Sequence, residues 1–131
     1  MSQPEFLSFE IVCLFHSRSI SRYGGTHGVR DKGMVESALA AAENVYWIGE
    51  GDLFAIAAAY AFHIAEAQAF LDGNKRTTVA AALAFIRGNG GACLEDDGRI
   101  YEAMIAIANK QLDKTGLAQL LRRMAGEQSQ P

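Results

Sequence analysis

The chain has 131 residues, half of them apolar, with only two prolines and a formal net charge of −3, so it can bury the core of one domain. The negative charge argues against direct nucleic-acid binding, because nucleic-acid binders are usually basic overall. The N-terminus lacks a basic leader, and the apolar stretch 53–69 contains His63 and Glu66 and is too short for a bilayer, so we expect a cytoplasmic protein without membrane contact.

Six helices are predicted in chain order. Ser8 and Asp52 are candidate N-caps for the first and third helices. The third is apolar around nearly its whole circumference, which predicts a place at the centre of the fold. The predicted segments are 9–21, 33–48, the stretch between Asp52 and a loop at 68–77, and then 76–88, 98–109 and 114–124.

The fold class is therefore all-α, with about six helices in one bundle over residues 1–125. Residues 126–131 are predicted to form a disordered tail. Cys13 and Cys93 lie far apart in apolar surroundings without metal-ligand spacing, which predicts buried free thiols rather than a disulfide.

The loop between the third and fourth helices carries the densest chemistry of the chain. Asp72 offers a carboxylate to a hard cation such as Mg²⁺, and Gly73 permits a left-handed backbone or close approach of a ligand. Asn74 can donate and accept hydrogen bonds, and Lys75 and Arg76 suit phosphate oxygens. The helix that Thr77 opens presents N–H groups to an anion, so Gly73 to Thr77 predict a nucleotide-phosphate site.

Simpler interpretations of the same residues stay open. Asp72 is also a suitable helix cap, and Gly73 can be an ordinary turn glycine. Lys75 and Arg76 can be a solvated pair, although cations at a helix start oppose its dipole by about 0.3–1 kcal/mol each. Phe70 is expected to anchor the loop in the core.

The segment Gln68-Ala69-Phe70-Leu71-Asp72-Gly73-Asn74-Lys75-Arg76 resembles the signature of Fic/Doc (Fido-fold) proteins, in the death-on-curing version. The N-terminal half is also similar, through Tyr23-Gly24-Gly25, Gly28-Val29-Arg30-Asp31 and Glu36-Ser37-Ala38-Leu39. Lys75 and Val79 stand where the AMP-transferring branch has a second glycine and a second arginine. The resemblance therefore implies transfer of the γ-phosphate of ATP, with Mg²⁺, rather than of AMP.

Gln68 stands where the family has the histidine that acts as general base. A carboxamide can orient a hydroxyl but cannot take its proton, and loss of a general base typically lowers the rate by about 10²–10⁴. His27, in the glycine-rich loop, is a candidate replacement base or a plain surface residue. His63 is expected to point away from the loop, and Arg30 either reaches the ligand or pairs with Asp31 or a helix end.

Two functions follow from the resemblance. The first is a toxin of a toxin–antitoxin pair that phosphorylates a hydroxyl of a target protein, with a translation elongation factor of the Tu type as the implied target. No self-inhibitory Ser/Thr-x-x-x-Glu-Gly/Asn helix is present in the sequence, which implies a separate antitoxin protein as partner. The second is a catalytically impaired module that binds nucleotide, antitoxin or both.

Overall fold

The computed structural model describes residues 3–49, 51–71, 73–91 and 94–128. Within these ranges the regular secondary structure is entirely helical, which confirms the all-α prediction, and the β contacts amount to one isolated antiparallel bridge between Val29 and Phe70. The helices are α1 (Phe9–Tyr23), α2 (Lys32–Trp47), α3 (Leu53–Ala67), α4 (Asn74–Gly88), α5 (Arg99–Ala108) and α6 (Lys114–Gln128).

Side-chain caps fix the starts of the first three helices. As predicted, the Ser8 side chain accepts a hydrogen bond from the N–H of Ile11 at 3.1 Å, and the Asp52 side chain accepts one from the N–H of Ala55 at 2.8 Å. Asp31 caps α2 by accepting a hydrogen bond from the N–H of Met34 at 3.2 Å, so α2 begins at Lys32, one residue before the predicted start. Each cap supplies an acceptor to an N–H group that has no partner within the helix.

The third helix is the centre of the bundle, as its apolar circumference predicted. It contacts α2, α4, α5 and α6, and its alanines 57, 58, 59 and 61 are completely buried. Small side chains allow neighbouring helices to approach closely on several sides at once. The bend that follows α3 is thereby attached to the helix at the centre of the bundle.

Two predicted boundaries differ from the structure. The fourth helix begins at Asn74 rather than near 76, because Gly73 takes the N-cap position with a left-handed backbone. The sixth helix continues to Gln128, so the predicted disordered tail is wrong for residues 126–128. The Gln128 amide bonds both the N–H and the carbonyl of Glu95 at 3.0 Å, which ties this last turn to the chain before α5.

Several predictions concern residues outside the described ranges. Asp72, Cys93 and residues 129–131 belong to this group. Cys13 is a half-buried free thiol, and burial raises its pKa. Over the ranges given above, no helix combines the length and the apolar character that crossing a bilayer requires.

Candidate functional site

The bend between α3 and α4 is held in place by the loop at 24–31. Gln68 ends α3 with a left-handed backbone, φ 45°, and its carbonyl accepts a hydrogen bond from the Arg30 guanidinium. The Arg30 N–H donates to the Ala69 carbonyl at 2.6 Å, and the Leu71 N–H donates to the Gly28 carbonyl at 3.1 Å. Of the interpretations open for Arg30, the structure shows the pairing with a helix end.

Phe70 and Asn74 fix the bend from the inside. The Phe70 side chain is buried, as expected, and stacks on the buried His16 ring with centroids 4.1 Å apart. The Asn74 amide spans the bend: its Oδ1 accepts the Phe70 N–H at 3.3 Å and its Nδ2 donates to the Phe70 carbonyl at 3.1 Å. Asn74 therefore acts as a brace that sets the shape of the loop.

Gly73 is favoured by its backbone conformation and by close packing against α1. Its φ is 73°, and a Cβ at this position would lie 2.9 Å from Cδ1 of Ile20. Thr77 is completely buried, and its hydroxyl donates a hydrogen bond to the Gly73 carbonyl at 2.9 Å, so it stabilises the bend from the core side. In the part of the chain that the structure describes, no side chain caps the N-terminus of α4.

The bend opens into a cleft of about 980 Å³. Gln68, Gly73, Asn74, Lys75 and Arg76 all line it, whereas Thr77 does not. Gln68 and Lys75 are exposed and Arg76 is half-buried. The facing walls carry the larger apolar side chains Phe62, Tyr101, Met104, Ile107 and Leu112.

The Arg76 guanidinium lies between two aromatic rings. Its central carbon is 3.8 Å from the centroid of the Tyr23 ring and 4.9 Å from that of Tyr101. A guanidinium at these distances is attracted to the faces of both rings and loses freedom to swing into solvent. The positive charge is thus held in the lining of the cleft.

The ionisable groups of the cleft have both signs. Lys75, Arg76 and Lys110 are cationic, while Glu66 and Asp113 are the carboxylates among the described lining residues. No group of three His, Cys, Asp or Glu side chains that could hold a metal occurs among the described residues. The arrangement suits a polyanion whose negative end meets the start of α4, because Lys75 and Arg76 lie in the first turn of that helix, where the helix dipole attracts anions.

The histidines considered from the sequence lie elsewhere. Nε2 of His63 is 3.1 Å from Nζ of Lys114 on α6, which confirms that it points away from the bend, and burial together with Lys114 lowers its pKa. His27 is exposed in the 24–28 loop and does not line the cleft.

His16, Tyr101 and Glu66 were not among the site residues predicted from the sequence. His16 falls between Val12 and Ile20 at four-residue spacing, so it was recognisable as a member of the buried face of α1. Tyr101 and Glu66 carry no such signal, because only the packing of α5 and α3 brings them to the cleft.

The described part of the chain is thus a helical bundle in which the bend between α3 and α4 is followed by two adjacent cations that line a cleft. The model of the Fic/DOC family matches residues 6–86, which include the whole bend, and the chain belongs to that family. It is similar to the protein named "Protein kinase doc" of Escherichia phage P1, with 32% identity over 121 residues. That alignment covers 92% of this chain and 95% of the phage protein.

Proposed function

We propose that this chain is a Doc-like toxin that transfers the γ-phosphate of ATP to a hydroxyl group of a target protein. The proposal is supported by membership of the Fic/DOC family and by similarity to a relative that is named a protein kinase. The observation that carries it is the pair Lys75 and Arg76 on the first turn of α4, lining the cleft beside an N-terminus that no described side chain caps.

The donor end of the site has the features that a triphosphate needs. Phosphoryl transfer depends mainly on positioning and charge neutralisation, for which Lys75, Arg76 and the first N–H groups of α4 are suited. Gly73 gives the turn into α4 its left-handed backbone, and Asn74 holds the bend and offers an amide to a phosphate oxygen. Asp72 would hold Mg²⁺, which neutralises charge on the triphosphate when bound; its carboxylate lies outside the described residues.

The acceptor end contains Gln68, at the position of the family's motif histidine. Its amide can align a hydroxyl through hydrogen bonds but has no basic lone pair for the proton. Lys75 favours phosphate over AMP transfer, because in the AMP-transferring branch of the family a glycine at this position leaves room for additional phosphates. The family resemblance gives a translation elongation factor of the Tu type as the target. A separate antitoxin protein restrains the activity in the cytoplasm.

A second function is kept because of the Gln68 side chain. If no other group takes the proton, the fold retains nucleotide and antitoxin binding without catalysis. In that case a Gln68→His variant transfers phosphate or becomes toxic, whereas the natural protein does neither.

Calorimetric titration with Mg-ATP tests the donor site. We expect the Lys75→Ala/Arg76→Ala double variant to bind about 100-fold more weakly or worse, since each charge-assisted hydrogen bond contributes about 1.5–3 kcal/mol. Arg87→Ala is the matched control, because Arg87 is an exposed cation in the last turn of the same helix and does not line the cleft. Equal affinity of the double variant and the natural protein would overturn the proposed site.

The transferred group is identified with ATP labelled at either the γ- or the α-phosphate, with a purified elongation factor of the Tu type as acceptor. Label from the γ-position alone indicates phosphate transfer. Label from the α-position indicates AMP transfer and contradicts the role given to Lys75.

A further inference from the structure

The proposed transfer requires a group that receives the proton of the acceptor hydroxyl, and none of the three histidines of the chain supplies it. His16 is buried and stacked on Phe70, on the inner side of the bend. His63 faces Lys114, and His27 lies in the exposed loop. None of the three lines the cleft.

The described carboxylates of the cleft are those of Glu66 and Asp113, and they differ in their hydrogen bonding. Oδ1 of Asp113 accepts the N–H of Gly116 at 2.8 Å, which commits it to the first turn of α6. Glu66 lies in the last turn of α3, two residues before Gln68, and is exposed. No hydrogen bond or ion pair of its carboxylate occurs among the described residues, and its negative charge partly offsets the lowering of the His63 pKa.

We propose that Glu66 is the general base of this site and replaces the imidazole that Gln68 lacks. The inference rests on the proposed function. Gln68 and Glu66 both belong to the C-terminal end of α3, and both line the cleft that Lys75 and Arg76 also line. An acidic residue performs the same task in protein kinases, where an aspartate accepts the proton of the substrate hydroxyl.

The step balances without any further reactant. The acceptor oxygen forms a bond to the γ-phosphorus, and the bond from that phosphorus to the β–γ bridging oxygen breaks. ADP leaves with the electron pair of that bond, and the hydroxyl proton passes to the Glu66 carboxylate. The products are a phosphomonoester on the target, ADP and the protonated glutamate.

The charges around Glu66 are compatible with a carboxylate near a triphosphate. Lys75 and Arg76 on α4 and Lys110 after α5 are the cations of the cleft, and Lys114 on α6 lies against the neighbouring His63. These groups offset the repulsion between the carboxylate and the phosphates. Asp113 is the other described acid of the cleft.

The experiment measures initial rates of γ-phosphate transfer from labelled ATP to the purified elongation factor, together with Mg-ATP affinity by calorimetry. We expect Glu66→Gln to lower the rate by about 10²–10⁴ while ATP affinity changes by less than about threefold. Glu102→Gln is the matched control, an exposed glutamate of α5 that does not line the cleft. We expect it to keep the natural rate.

The decisive variant is Glu66→Gln/Gln68→His. A histidine at 68 restores a base, so the double variant is expected to recover transfer that Glu66→Gln alone has lost. Full activity of Glu66→Gln overturns the assignment and leaves the proposed function standing. An inactive natural protein beside an active Gln68→His variant overturns it as well, because it shows that no base is in place. Failure of every variant to transfer phosphate overturns the proposed function, and the assignment with it.

Discussion

At the scale of single residues, Gly73 joins the backbone conformation to the shape of the site. Its left-handed φ turns the chain from the bend into α4, and the space where a Cβ would lie is filled by Ile20 of α1. Both features fall on the residue next to Asn74, whose amide braces the bend. A side chain at position 73 therefore disturbs the site and the helix packing together.

We expect Gly73→Ala to lower the free energy of unfolding by about 1–3 kcal/mol, because a left-handed backbone disfavours L-residues by roughly 1–2 kcal/mol and the new methyl group contacts Ile20. Urea denaturation measures the change. Gly88→Ala is the matched control at the other end of α4, where nothing lies within 4 Å of the added Cβ. The control should be neutral or stabilise by up to about 1 kcal/mol, and an equal loss in both variants would contradict the explanation.

At the scale of elements, Arg76 connects three helices. It belongs to α4, and its guanidinium lies between Tyr23 at the end of α1 and Tyr101 on α5. The same arginine is proposed to bind phosphate, so the rings act before any ligand arrives by limiting the positions that the guanidinium samples. The position of the Arg76 guanidinium is therefore fixed by packing between helices and not by the bend itself.

A double-mutant cycle with Arg76→Gln and Tyr101→Leu tests this contact. We expect a coupling of about 0.5–1 kcal/mol in the free energy of unfolding, the usual strength of a cation–π contact at a partly exposed site. A control cycle uses Tyr46→Leu on α2 in place of Tyr101→Leu. It should give no coupling with Arg76→Gln, since Tyr46 packs against Phe6 and Trp47 instead. Absence of coupling between positions 76 and 101 would show that the stacking contributes nothing.

At the scale of the whole molecule, the segment before α1 is tied across the bundle. The Leu7 N–H donates to the hydroxyl of the buried Tyr60 on α3 at 3.0 Å. Asn89 at the end of α4 bonds both the N–H and the carbonyl of Glu5, at 2.6 and 3.1 Å. The N-terminal segment thus closes the core over the central helix, on contacts far apart in sequence.

Burial of Tyr60 makes this closure depend on pH. Desolvation raises the pKa of its phenol from 10 to about 12, so the folded state favours the protonated form. The resulting contribution to stability is complete below about pH 10 and is lost as the pH rises toward 12. Urea denaturation between pH 7 and 11.5 should show this decline in the natural protein and not in Tyr60→Phe.

Tyr60→Phe should also be less stable near neutral pH by about 1–3 kcal/mol, because the Leu7 N–H loses its acceptor. Tyr46→Phe serves as the control and should keep the alkaline decline. If the decline persists unchanged in Tyr60→Phe, another group is responsible for it.

The fold was predictable where local chemistry decides it. The caps Ser8 and Asp52, the apolar circumference of α3 and the glycines at the helix ends are properties of short segments. The end of α6 was not predictable, because the amide of Gln128 finds its partner in Glu95 through contact between distant parts of the chain. The residues of the bend were recognisable as one string of candidate phosphate-binding groups, but the sequence did not show that Glu66 and Tyr101 line the same cleft.

The sequence by itself determined the helical class, the central helix and the chemical identity of the bend, because hydrophobic periodicity, capping and functional groups are encoded over a few neighbouring residues. Only the tertiary structure decided that Arg76 lies between Tyr23 and Tyr101, that His63 faces Lys114, and that Glu66 shares a cleft with Gln68. These relations depend on how α3, α4, α5 and α6 pack, and packing is set by all the contacts of the core at once.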